Sequence, residues 1–195
     1  MIYEYVVLTI IIAYSMNRSF SPLWDVKIKA PALIFSCFII QVGSIYFYKD
    51  TPIVASLFSV LIVISYLLLA VGAWLNRALP GFRLFSAGMF MNFLVIVSNN
   101  GRMPVSAHAL EQANLGHYIE ILKMGYKKHQ LMNDNTILPF LGDVIPLHFP
   151  YALMNMVVSV GDLFITLGMC LFFFITINEG KVFRRKLKKE VNFNS

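Results

Sequence analysis

Charge is what this sequence has least of. Only 13% of its 195 residues are Asp, Glu, Lys or Arg, and 58% are hydrophobic. A soluble domain carries about a quarter charged residues and about half apolar ones, so this composition argues against a water-exposed globule and for a membrane class. Cysteine is nearly absent. Cys37 and Cys170 both lie in apolar runs without metal-ligand spacing, and they read as small packing residues with no disulfide between them. No nucleophile elbow, P-loop, dinucleotide glycine box or paired-His metalloprotease motif occurs. The start, Met1-Ile2-Tyr3-Glu4-Tyr5, lacks a basic region and a small-residue cleavage site. The first apolar run is therefore expected to remain in the mature chain. No internal repeat or low-complexity segment is visible.

What is present is long apolar stretches. Five of them, at about residues 2–18, 31–48, 52–75, 80–98 and 159–178, predict an all-α polytopic transmembrane bundle of five spans, since about 20 apolar residues cross a bilayer. Pro31, Pro52 and Pro80 stand at span starts, where a missing N–H costs nothing. One membrane domain over residues 1–180, followed by a basic tail at 181–195, accounts for the whole chain. Residues 99–155 form a long connection between the fourth and fifth spans. Ser106 is placed to cap a short helix that runs to Leu115, and a second covers His117 to Met124. Pro139, Pro146 and Pro150 forbid a regular helix over Leu138–Tyr151. Irregular backbone at membrane depth must be buried in protein or line a wet cavity, so this stretch is expected on the outer surface or folded back into the bundle.

Basic residues set orientation, because Lys and Arg accumulate in cytoplasmic loops. With the tail inside, Arg18, Lys27, Lys29, Arg77, Arg83 and six residues of the tail fall on the cytoplasmic side, eleven of the sixteen Lys and Arg. The N-terminus and the 99–155 loop then lie outside. The net charge of +6 is concentrated beside a span, which argues for an anchor that fixes topology, with binding of anionic lipid as the alternative, rather than for nucleic acid. Trp24 reads as an interfacial anchor at headgroup depth.

Ionisable residues at span edges are costly and are functional candidates by default. Arg102 follows the fourth span, Asp143 sits in Leu141-Gly142-Asp143-Val144-Ile145-Pro146, and Asp162 opens the fifth span. One guanidinium and two carboxylates at a common outer level would leave a negative charge able to hold a proton, a cation or a polar ligand group. Each residue also has a structural reading. Ser159 and Asp162 have capping-box spacing, Asn99 and Asn100 suit a helix C-terminus, and Arg102 could pair with one aspartate to bury both. Asn92 and Gln41, mid-span, are expected to hydrogen-bond between helices; Asn92, Asn99 and Asn100 also join the ligand-binding candidates. His108, His117, His129 and His148 match no metal-ligand spacing, so neither a metal nor a cofactor is expected, and the histidines read as surface residues.

The segments Asn100-Gly101-Arg102-Met103-Pro104-Val105, Leu141-Gly142-Asp143-Val144-Ile145-Pro146, Ser159-Val160-Gly161-Asp162 and Leu75-Asn76-Arg77-Ala78-Leu79-Pro80-Gly81 together resemble a bacterial family of small multi-pass membrane proteins catalogued as a domain of unknown function, DUF5317. The resemblance covers most of the chain. It implies the bacterial inner membrane and brings no activity with it.

Three functional classes follow. The first is an envelope ligand-binding or transport component with an outer-leaflet polar pocket, taking a small polar ligand or a lipid headgroup and working as a homo-oligomer or with a membrane partner. The second is a membrane-embedded enzyme on a lipid-linked substrate, with Asp143 or Asp162 as general acid or base and Arg102 as a phosphate clamp. It lacks an activated nucleophile or a metal, so no catalytic residue is assigned. The third is a structural accessory subunit.

Overall fold

The computed structural model describes residues 7, 9–12, 14, 20–48, 51–124, 128–148 and 155–193, the last fifteen of these without their side chains. The expected first span therefore lies mostly outside the described residues; residues 7, 9–12 and 14 are helical.

Four apolar helices form a row in which each packs on the next. α1 (Ser21–Trp24) is a single turn that packs against α7 and leaves Trp24 90% exposed. α2 (Pro31–Phe47) and α3 (Pro52–Leu75) both begin on proline. α4 (Phe82–Ser98) begins two residues later than Pro80 suggests, because Gly81 takes the N-cap at φ 73°. α7 (Val160–Phe193) runs beyond the apolar stretch, since the Lys, Arg, Glu and Leu of the basic segment are good helix formers. The helix thus continues into the basic segment as far as Phe193. Two helices, Pro52–Leu75 and Val160–Asn178, are long and apolar enough to cross a membrane, and Pro31–Phe47 and Phe82–Ser98 are shorter apolar helices.

The described residues between α4 and α7 form a small cap built on α5 (Ala107–Gln112), α6 (His117–Lys123) and four three-residue strands. Ser106 caps α5, its Oγ accepting the Ala109 N–H at 3.3 Å. β1 (Met103–Val105) pairs in parallel with β2 (His129–Leu131), and β3 (Ile145–Leu147) pairs antiparallel with β4 (Met156–Val158). On its other edge β1 receives Asp143 as a parallel bridge to Val105. A 3-10 turn at Pro139–Leu141 packs on α4 and α7. The proline-rich stretch therefore contains no α-helix among its described residues, and it folds back onto the bundle.

Three clusters hold these layers together. Phe58 and Ile62 of α3 meet Val95, Ile96 and Met103, joining bundle to cap. Ala73, Met89 and Ile165 fill the α3–α4–α7 interior. Val105, Leu110 and Leu122 form the cap's own core. Tyr66 packs against the first two clusters, so its ring marks the floor of the cap.

Candidate functional site

α4 and α7 approach each other through paired glycines. Gly81 faces Gly168 and Gly88 faces Gly161, a spacing of seven on both helices run antiparallel. A Cβ on Gly168 would stand 2.6 Å from the Phe85 nitrogen, and one on Gly161 would collide with Asn92 Oδ1 and lie 2.8 Å from the Gly88 carbonyl. Small residues let helix backbones close in this way. Here the closeness lets a side chain of α4 reach the first turn of α7.

That side chain is Asn92. Its Nδ2 donates to Asp162 Oδ1 at 2.9 Å, and its Oδ1 accepts from Ser159 Oγ at 3.0 Å. Ser159 and Asp162 form the capping box expected from their spacing: the Ser159 N–H donates to Asp162 Oδ2 at 3.1 Å, and the Asp162 N–H donates to Ser159 Oγ at 3.0 Å. Both carboxylate oxygens of Asp162 are thus engaged.

The cap supplies the opposite wall. The Asp143 N–H donates to the Pro104 carbonyl at 2.8 Å, and its own carbonyl accepts the Ser106 N–H at 3.0 Å. This pins the residue to β1 and leaves its side chain 91% buried. Gly142 is needed beside it, because a Cβ there would meet the Pro104 carbonyl at 2.6 Å. The β1–β2 register brings His129 alongside Met103, and His129 Nε2 lies 3.7 Å from Asp143 Oδ2. Asp143 Oδ1 is buried and has no hydrogen-bond partner.

Between the two walls is a cavity of about 130 Å³, lined by Ile62, Tyr66, Asn92, Ile96, Gly101, Met103, Lys128, His129, Asp143 and Asp162. One water takes about 30 Å³ of liquid volume, so the cavity has room for a few waters or one small polar group. Burial pushes the Asp143 carboxyl well above the usual carboxylate range, and the neighbouring Asp162 adds to the shift. Burial pushes the His129 imidazole down, helped by Lys128 and opposed by Asp162, and burial also lowers the Lys128 ammonium. Both members of the His129–Asp143 contact therefore favour their neutral forms. At 3.7 Å the contact is longer than a good hydrogen bond.

Of the residues singled out from sequence, Asn92, Asp143 and Asp162 line one cavity. Arg102 is half-buried between the lining residues Gly101 and Met103, and its guanidinium forms no ion pair among the described residues. The cation in the wall is Lys128. Asn99 and Asn100 shape the turn instead. Asn99 Nδ2 donates to the Val95 and Ile137 carbonyls, each at 2.8 Å, and its Oδ1 accepts the Ile137 N–H. Asn100 takes φ 56°, and the Gly101 N–H closes on the Ile96 carbonyl at 2.9 Å, the long bond of a Schellman motif. Gly101 itself sits at φ 76° with no room for a Cβ against Ser59. Gln41 makes no side-chain hydrogen bond among the described residues. Tyr66, Lys128 and His129 were not foreseen as wall residues. The place of Lys128 and His129 depends on the β1–β2 pairing, and that of Tyr66 on how α3 packs under the cap; no local pattern announces either. Among the described residues no cluster of three or more His, Cys, Asp or Glu side chains is arranged to hold a metal. Both cysteines are free.

Residues 25–174 match a family described as a family of unknown function, DUF5317. Over 114 residues the chain is 30% identical to an uncharacterized protein of Thermotoga maritima, a match covering 58% of this chain and 62% of that protein. No solved structure matches.

Proposed function

The chain belongs to the DUF5317 family, and on that premise we propose that it is a multi-pass protein of the bacterial cell membrane that binds a small polar solute in the Asp143 cavity, as a ligand-binding or transport component. The membrane part rests on exposed apolar surface. Phe35 and Phe38 of α2 are 68% and 66% exposed, and Ile53 of α3 is 70% exposed. Soluble monomers rarely leave such faces bare. Orientation follows from the basic loops. The Lys29 N–H donates to Asn76 Oδ1 at 2.7 Å, and Asn76 Nδ2 donates back to the Lys29 carbonyl at 2.9 Å. Residues 25–30 and 76–81, both basic, therefore share one end. That end is read as cytoplasmic, with the cap and the N-terminus outside and residues 181–195 inside.

Depth gives the cavity its meaning. Tyr66 is nine residues from the end of α3, roughly 14 Å at 1.5 Å per residue, or about half of a 30 Å hydrocarbon core. The cap's irregular backbone would then lie within the outer half of the membrane, where backbone of this kind is tolerated only when it is buried in protein or lines a wet cavity.

One observation carries the binding proposal: Asp143 lines the cavity, and its buried Oδ1 has no partner. A buried polar atom left unpaired costs about 1–3 kcal/mol, and a ligand that answers it recovers that cost. Asp162 is saturated by Asn92 and Ser159, so Asp143 is the contact residue and Asp162 the positioning one. Arg102 belongs to the approach. A small amine fits: its N–H can donate to Asp143 Oδ1, and its positive charge would favour the ionised carboxylate that burial disfavours. A homo-oligomer or membrane partner would complete a transport path, which five spans alone scarcely provide.

The test uses the full chain in mild detergent, with ammonium, methylamine and ethanolamine as probes. At least one should raise the melting temperature of the wild type and leave Asp143→Asn unmoved. Equal responses from both proteins would refute the binding reading. Topology is tested separately with single cysteines at positions 129 and 186, which an impermeant reagent should label from opposite faces.

A further inference from the structure

On the other side of α3 and α4 a second concavity runs between the helices. It is about 770 Å³, and its walls follow one face of each helix: Leu67, Val71 and Trp74 on α3, and Ala87, Phe90 and Phe93 on α4. These side chains are apolar, and Trp74 and Phe90 are 59% and 55% exposed. Only one end is charged. There Arg77, just past α3, and Arg83, in the first turn of α4, line the same groove. The Arg77 guanidinium stacks 4.6 Å over the Trp74 ring and donates to the Trp74 carbonyl at 3.1 Å. That contact fixes its position while most of its five N–H groups face elsewhere. Thr9 and Ile12 line a different groove against α7, so these residues of the N-terminal helix do not fill this one.

We propose that this groove seats one acyl chain of an anionic phospholipid of the cytoplasmic leaflet, with its phosphate held between Arg77 and Arg83. The proposal rests on the membrane reading above and goes beyond it to a second site. Length and charge both fit. From Arg83 to Phe93 is ten residues, roughly 15 Å of helix, about the depth of one leaflet's hydrocarbon. Guanidinium forks match phosphate geometry. The cytoplasmic leaflet carries anionic lipid. The 25–30 loop bonded to Asn76 adds Lys27 and Lys29, against Asp25, at the same end.

The experiment is native mass spectrometry and thermal melting of the full chain in detergent, titrated with phosphatidylglycerol or phosphatidylcholine. Wild type should retain phosphatidylglycerol and melt higher with it, with little response to phosphatidylcholine. Arg83→Gln should weaken retention roughly fivefold, and adding Arg77→Gln should bring the loss to roughly thirtyfold, at about 1 kcal/mol per basic residue near the surface. Ala87→Trp, which fills the groove and keeps both arginines, should displace the lipid even if the arginine variants fold poorly. Undiminished phosphatidylglycerol binding by Arg83→Gln and Ala87→Trp would overturn the site, as would equal binding of phosphatidylcholine. So would a Phe90→Cys chain that cross-links to a second copy whatever lipid is present. Alkaline washing separates the two levels. A chain washed off membranes defeats the membrane reading itself, whereas a chain retained there but indifferent to lipid charge defeats only the groove.

Discussion

The two walls of the Asp143 cavity treat their polar groups differently. On the α4–α7 side, Asn92, Ser159 and Asp162 answer one another in a closed set of hydrogen bonds. On the cap side, Asp143 is equally well held by its backbone but keeps one buried oxygen unanswered. The first wall is built like a joint and the second like a socket. The contrast separates two residues that look alike in sequence, since both follow a glycine and both lie near a span. A satisfied buried network stabilises, whereas a single unsatisfied atom is a cost that needs a reason.

Breaking the joint should have the largest effect. Gly161→Ala places a methyl against Asn92 and the Gly88 carbonyl. We expect a loss of about 3 kcal/mol, the upper end of overpacking, read as loss of the monodisperse peak on size exclusion or a collapsed melting temperature. Asn92→Leu comes next. It strips the partners of Asp162 Oδ1 and Ser159 Oγ and should cost about 2 kcal/mol by thermal melting. A wild-type melting curve for this variant would mean the joint is ornamental.

The socket should respond in the opposite sense. Asp143→Asn removes a carboxyl whose ionisation the site resists, so the variant should melt higher at pH 8 while losing the amine response. The pH dependence sharpens this. The Asp143 pKa is raised above its ordinary 3.8. The folded state therefore keeps a proton that the unfolded chain releases, and this stabilisation, complete below 3.8, is lost as pH rises through the folded value. The His129 pKa is lowered below its ordinary 6.5, so its contribution is complete above 6.5 and is lost as pH falls through the folded value. Between pH 3.8 and 6.5 the two trends therefore oppose each other: in melting temperature against pH, Asp143→Asn should leave a rise with pH that comes from His129, and His129→Gln a fall with pH that comes from Asp143. The smallest effect is expected for Arg102→Ala, within about 0.5 kcal/mol as for a surface change without partners, measured by the same melts. A large loss would put Arg102 back in the wall.

Local features were legible in the sequence. The apolar runs, the prolines opening α2 and α3, the Ser106 cap, the Ser159–Asp162 capping box and the absence of a regular helix around Pro139 and Pro146 all depend on a few neighbouring residues. The matched seven-residue glycine spacings on α4 and α7 were also on the page, but their meaning needs both helices at once. The four short strands were not legible, because three residues give no alternation to read.

Sequence alone determined the oil-soluble helices, their caps and the lopsided distribution of basic charge, because hydrophobic length, capping and charge asymmetry act through near neighbours. Only the tertiary structure decided that Lys128 rather than Arg102 would line the cavity, that His129 would stand against Asp143, and that one aspartate would be bound on both oxygens and the other on neither face of Oδ1. Those outcomes depend on β1 closing with β2 and with residue 143, and on two glycine-lined helices meeting. Such long-range pairings are settled by packing and loop closure across the whole chain, not by any segment of it.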